Sequence, residues 1–211
     1  MKHNRRGHLC DPQWAQKAQT GNDDSIITCI GCMHCIDSIF SMKKIECAVN
    51  ARAGRELEFP DFNKNGFGRK ISIIGAGPAG MEAARVLKLR NFQPVLYEQR
   101  KEAGGELIPG CKPPDKDVIK WYQNSLLSNL EKLNVTIKTG FKAEPQQVLN
   151  DDNPYAVIVA IGANPQITSI PGIKNENVIN AIDILNNPIL IQDKAKVAII
   201  GGGMTGCELA E

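Results

Sequence analysis

The sequence predicts an α/β chain built on a parallel sheet with crossover helices, led by a short irregular segment organised around cysteines. Three observations carry that prediction: a strand, glycine loop, helix and second strand in succession from residue 69; an amphipathic stretch over residues 113–133 followed by further apolar runs; and four cysteines within residues 29–47. Strands alternating with helices are the pattern of a parallel sheet. Closely spaced thiols in a polar stretch read as a loop that wraps a metal.

Of the 211 residues 42% are apolar, enough for the core of one or two domains. Twenty-five basic and 23 acidic residues leave a net charge of +2, with no basic block of the kind that neutralises a phosphate backbone, so nucleic acid is not expected as a partner. The basic start, Met-Lys-His-Asn-Arg-Arg, is not followed by the apolar run of a secretory signal. The longest apolar window, residues 71–89, is broken by Gly75, Gly77, Pro78 and Gly80 and carries charges, which argues against a membrane span. A soluble, cytoplasmic protein is expected. There thiols stay reduced, and crowded cysteines read as metal ligands rather than as a disulfide framework.

Taken in order, residues 1–24 are polar, show no sustained period and read as a connector or the remnant of a preceding domain. Residues 25–68 hold the cysteine segment and a polar, glycine-containing linker. Residues 69–192 open with the strand KISIIG, a helix over 79–89 and the strand PVLYE over 94–98. A helix is expected over 113–133, where Val118, Ile119, Tyr122, Leu126, Leu130 and Leu133 recur at three- and four-residue steps. Strands are expected at 135–138 and 156–161, the latter an unbroken apolar run suited to a parallel strand covered on both faces. Residues 193–211 begin another unit with a strand from Lys196 and the first turn of a helix. One helical turn cannot cover a sheet, so the chain is expected to be a fragment that continues beyond Glu211.

The cysteine cluster runs Cys29-Ile-Gly-Cys32-Met-His-Cys35, then eleven residues, then Cys47. Two-residue spacings let three thiolates converge on one face of a cubane, and a remote fourth closes the last iron corner, which favours a [4Fe–4S] cluster. Structural zinc, which more often takes two separated pairs, is the alternative. His34 reads as solvent-facing, because four thiolates already complete the site. Cys10, Cys111 and Cys207 have no partner at metal spacing and are assigned no function.

The glycine loop Gly75-Ala-Gly77-Pro78-Ala79-Gly80 stands directly after a strand and opens a helix. In that context Gly75 permits the tight turn, Gly77 clears the way for a pyrophosphate and Gly80 lets helix and strand approach. The helix N-terminus then faces the phosphate charge. Eighteen residues after Gly80, Glu98 ends the second strand, where an acid accepts hydrogen bonds from a ribose diol. A glycine-rich turn without ligand is the bland alternative. Gly201, Gly203 and Gly206 repeat the fingerprint, which implies a second dinucleotide. The acid or arginine that would separate NADH from NADPH falls outside these residues.

In this order the motifs resemble the C-terminal half of the 2,4-dienoyl-CoA reductase and trimethylamine dehydrogenase family, NADH:flavin oxidoreductases related to old yellow enzyme. Residues 7–14, with Lys17 and Gly21, look like the exit of that family's FMN-binding barrel, where alanine is commoner than Cys10. CIGC at 29–32 combined with CAVNARAGRE from Cys47 is specific to the family. The two-residue gap before Cys35 looks more like the trimethylamine dehydrogenase branch, since dienoyl-CoA reductases usually carry three residues there. YEQRKEAGGEL over 97–107 is similar to the stretch where members use the acid and paired glycines, here Gly104 and Gly105, around adenosine and pyrophosphate. AIGANP over 160–165 resembles the strand that meets the flavin nucleotide, through Ala160 and Gly162, with Ile161 where threonine is usual.

The resemblance implies a Rossmann-like fold of the disulfide-oxidoreductase type, with FAD, NAD(P)H and a [4Fe–4S] cluster in this chain. FMN would sit in a barrel domain outside it. It further implies hydride transfer from NAD(P)H to FAD, then single electrons through the cluster to FMN and an enoyl-type or amine substrate, with no catalytic residue in this stretch. A cluster takes one electron at a time and a nicotinamide delivers two, so a flavin must stand between them. The barrel domain, a small-molecule substrate and a second copy in a homo-oligomer are the expected partners. Two other readings stay open: ADP held as a structural ligand in place of FAD, and an electron-transfer module resembling the small subunit of glutamate synthase.

Overall fold

The computed structural model describes residues 6–211. The first five residues of the basic start therefore lie outside the described residues. The polar opening, expected to lack a period, folds into two short helices, α1 (Gly7–Cys10) and α2 (Trp14–Gln19), and a single 3-10 turn at Asp23–Ser25. A buried polar network sets them. Asp11, 4% exposed, accepts the Lys17 ammonium at 2.7 Å, the Ile27 N–H at 2.9 Å and the Gln13 N–H at 3.0 Å. Lys17 also donates to the Ser25 carbonyl at 2.8 Å. Polar ties of this kind leave no hydrophobic period in the sequence, so a pattern search passes over them. The cysteine segment, expected to be irregular, contains helix α3 (His34–Phe40), which starts just after Met33 in the left-handed region.

The following residues give β1 (Lys70–Ile74), α4 (Pro78–Leu89), β2 (Gln93–Glu98), α5 (Leu107–Gly110), α6 (Asp117–Lys132), β3 (Thr136–Thr139), α7 (Pro145–Asp152) and β4 (Ala156–Val159). The strands form one sheet in the order β3-β2-β1-β4, every pair parallel, with Ile73 beside both Leu96 and Ile158 and Leu96 beside Ile137. This is the Rossmann-like α/β fold that the alternation of strand and helix predicts. Ile73, Leu96, Met81 and Ala84 are fully buried and pack with Tyr122, Leu126 and Leu130 of α6. Full burial of an aliphatic side chain stabilises by about 1.5–3 kcal/mol, so this layer holds α4 and α6 on the sheet.

Helix α6 begins at Asp117 rather than at residue 113. Pro113 and Pro114 explain the difference: a residue preceding proline is disfavoured in the α region, and Asp115 sits at φ 59°. The cysteine segment lies against α6. Asn129 donates to the Ser25 carbonyl at 2.8 Å, Lys132 pairs with Asp24 at 2.6 Å, and Ile27, Ile30 and Val49 pack on the core.

Two expectations are corrected. The 156–161 run is not covered on both faces in the described structure: β4 is an edge strand paired with β1, and Val157 and Val159 are 41% and 68% exposed. Its β-branched residues suit a strand whether or not it is covered. The stretch from Lys196 is not a strand either. Residues 196–200 have no described sheet partner, and Val197 and Ile200 stay exposed; a strand forms only by pairing. The chain closes with α8 (Ala181–Asn186), a 3-10 turn at Pro188–Leu190 and α9 (Met204–Ala210). Lys116 holds Glu208 of α9 at 2.7 Å. Among the described residues no helix is long and apolar enough to cross a membrane.

Candidate nucleotide and metal sites

The first glycine loop leaves β1 and turns into α4. Gly75, at φ +103°, donates its N–H to the Tyr97 carbonyl at 2.7 Å, and a Cβ there would strike the Ala160 carbonyl. A Cβ on Gly80 would strike the Gly75 carbonyl. Both glycines are therefore required by close backbone approach. Gly77 is the N-cap of α4 with Pro78 in its first turn, the position where a missing N–H costs nothing. Ala79 follows inside the helix. The twelve-residue helix thus presents free N–H groups to an anion.

Glu98 is 6% exposed and ties the loop to the end of β2: one carboxylate oxygen accepts the Ala76 N–H at 2.9 Å and the other the Arg100 N–H at 2.9 Å. Each oxygen keeps a second lone pair for a hydroxyl donor. Gly104 and Gly105, distant in sequence from the first loop, come to its mouth. Gly104 donates to the Ala76 carbonyl at 2.9 Å, and a Cβ on Gly105 would approach the Gly77 Cα to 2.8 Å. Ala160 donates to the Ile74 carbonyl at 2.8 Å and forms the other flank, while Gly162, at φ +74°, lies in open space. The structure thus assembles Gly75, Gly77, Glu98, Gly104, Gly105 and Ala160 around one helix N-terminus.

Sequence reasoning missed two residues here. Gln123 of α6 is fully buried and donates to the Ala103 carbonyl at 2.8 Å, its amide filling the space beside Gly104. The signal was present: an amide inside the apolar stripe of an amphipathic helix needs a buried partner. Arg100 reaches the Gly105 carbonyl at 3.2 Å and Glu106 at 3.1 Å.

The second loop has the same local geometry. Gly201 sits at φ +111°, Gly203 caps α9, and a Cβ on Gly206 would strike the Gly201 carbonyl. A Cβ on Gly201, Gly202 or Gly203, however, would meet no described atom within 4 Å.

Cys29, Cys32, Cys35 and Cys47 line one cavity together with Leu9, Ile30, Met33 and Val49. Cys10 lines it too, with its Sγ 3.8 Å from that of Cys47. The hydrogen bond between these thiols, reinforced by burial, pushes Cys10 well above its ordinary value, and the same bond, working against burial, lowers Cys47 to about 6. The Gly31 N–H points at the Cys29 sulfur at 3.4 Å. His34 turns instead to Glu46, 3.1 Å away on the surface, and Cys111 and Cys207 lie elsewhere, bonded to the Ile108 and Gly202 carbonyls. Among the described residues no three thiol, imidazole or carboxylate groups come together closely enough to bind a single metal ion. The donor set suits a cluster instead: four thiols, an apolar wall and an amide aimed at a sulfur.

Residues 69–211 match the family model of the pyridine nucleotide-disulphide oxidoreductases. The chain belongs to that family. It is 34% identical over 209 residues to an NADH oxidase of Thermoanaerobacter brockii, covering 97% of this chain and 32% of the relative. It is 36% identical over 211 residues to a metal reductase of Desulforamulus reducens, covering 97% and 31%. Among solved structures, a 2-naphthoyl-CoA reductase superposes with a TM-score of 0.86 at 27% identity, over 97% of this chain and 31% of that one. The chain spans about a third of the length of the curated relatives it matches. These relatives, together with a dimethylamine dehydrogenase and a histamine dehydrogenase, are those of the 2,4-dienoyl-CoA reductase and trimethylamine dehydrogenase group that the motifs resemble. The family is one of flavin- and NAD(P)-dependent oxidoreductases.

Proposed function

We propose that this chain is the electron-entry portion of a flavin and iron–sulfur oxidoreductase. FAD is held by Gly75, Gly77, Gly80, Glu98, Gly104, Gly105, Ala160 and Gly162, NAD(P)H by the loop at Gly201, Gly203 and Gly206, and a [4Fe–4S] cluster by Cys29, Cys32, Cys35 and Cys47. The observation that carries this reading is a thiol-lined cavity whose Ile30 and Val49 pack on the same core that carries β1, α4 and α6 of the glycine cradle. When bound, FAD exchanges two electrons with a nicotinamide and one at a time with a cluster.

The chain's own residues supply grip and orientation. Helix α4 turns its N-terminus toward the pyrophosphate, and the missing side chains of Gly77 and Gly105 let the phosphates approach the backbone. Glu98 accepts from a ribose hydroxyl while its ties to Ala76 and Arg100 hold it still. The hydrogen bond with Cys10 lowers the Cys47 thiol toward the thiolate that a cluster ligand must be. The acceptor we infer is an FMN-bearing barrel domain and, beyond it, an enoyl-type or amine substrate, amines being what two of the relatives are named for; the cytoplasm is the compartment proposed.

Two substitutions separate the sites. Cys32→Ser is expected to abolish bound iron while leaving flavin retention and its bleaching by NAD(P)H intact. Glu98→Ala is expected to weaken flavin retention and spare the iron. Unchanged iron content in Cys32→Ser would overturn the ligand assignment.

A further inference from the structure

The cavity that holds the four proposed ligand cysteines is lined by a fifth, Cys10, which sequence proximity does not place there. Cys10 precedes Cys29 by eighteen intervening residues, yet its sulfur is 3.8 Å from Cys47 and the residue is 5% exposed. Its backbone is clamped on both sides. Asn50, bridged to Cys47 across a tight turn, donates to the Leu9 carbonyl at 2.8 Å, while Asp11 carries the buried network that reaches Lys17 and Ile27. The same turn that presents Cys47 to the cavity therefore sets the position of Cys10.

We propose that Cys10 is a positioning residue that donates an S–H···S hydrogen bond to the cluster-ligating Cys47 thiolate and thereby raises the reduction potential of the cluster. A ligated thiolate carries no proton and can only accept, so the neighbouring neutral thiol is the donor. A hydrogen bond to a ligand sulfur draws negative charge from it and stabilises the reduced, more negative state. The inference rests on the proposed cluster assignment, and the geometry holding Cys10 is independent of it.

The test uses the purified protein, reconstituted anaerobically with iron and sulfide, and the Cys10→Ala and Cys10→Ser variants. Iron and sulfide content, the midpoint potential from a spectroscopic redox titration and the electron paramagnetic resonance signal of the reduced state are measured on each. Cys10→Ala should keep wild-type iron content and titrate at a more negative potential. Cys10→Ser, which retains a donor, should recover most of that shift. Wild-type potential in Cys10→Ala with full iron overturns the inference and leaves the cluster assignment standing. Loss of iron in Cys10→Ala but not in Cys47→Ala also overturns it, by exchanging the roles of the two sulfurs. Absence of iron from the wild-type protein removes both readings.

Discussion

The two glycine loops are near copies in backbone geometry and opposites in surroundings. Gly77 and Gly203 cap their helices with φ and ψ agreeing within a degree, Gly75 and Gly201 both sit in the left-handed region, and Gly80 and Gly206 each pass against the carbonyl of the loop's first glycine. The fingerprint therefore specifies the turn by itself, without a sheet beneath it. What it does not specify is the cradle. At the first loop β1 is paired on both sides, and Ala160 and Gly105 press on the turn. At the second, no described atom comes near the outer face of Gly201 to Gly203.

That difference ranks the substitutions. Gly75→Ala combines a left-handed φ with a collision against the Ala160 backbone, and should cost about 2–5 kcal/mol in denaturant unfolding and abolish flavin retention. Gln123→Leu leaves the Ala103 carbonyl without its buried donor; a loss of about 1–3 kcal/mol is expected, with weaker flavin retention measured by equilibrium dialysis. Gly201→Ala meets the strain without the collision and should cost about 1 kcal/mol. Gly203→Ala, in extended backbone and open space, should leave the unfolding midpoint within about 0.5 kcal/mol of wild type. A Gly203→Ala loss as large as that of Gly75→Ala would erase the contrast between the loops.

Much of this was legible in the sequence, and the rest was hidden for physical reasons. The parallel sheet, helix α4, both loops and the place of Glu98 at the end of β2 follow from local pattern, because period and glycine spacing are local properties. The four cysteines reach one cavity as their spacing suggests. Cys10 was invisible because its approach depends on Asp11, Lys17 and Asn50, a polar network with no period. Gln123 was visible only as an oddity in an apolar stripe. The edge position of β4 and the unpaired stretch from Lys196 could not be read, since an apolar run has the same composition whether or not a neighbour covers it. Helix α6 starts late because two prolines override its amphipathic period.

The most direct measurement is the anaerobic absorption spectrum of the purified protein before and after dithionite, with iron, acid-labile sulfide and flavin determined on the same sample. The account predicts about four iron and four sulfide per chain, a broad brown absorption that bleaches on reduction, and a flavin envelope above it. A colourless protein that takes up zinc but neither iron with sulfide nor flavin on reconstitution would contradict it.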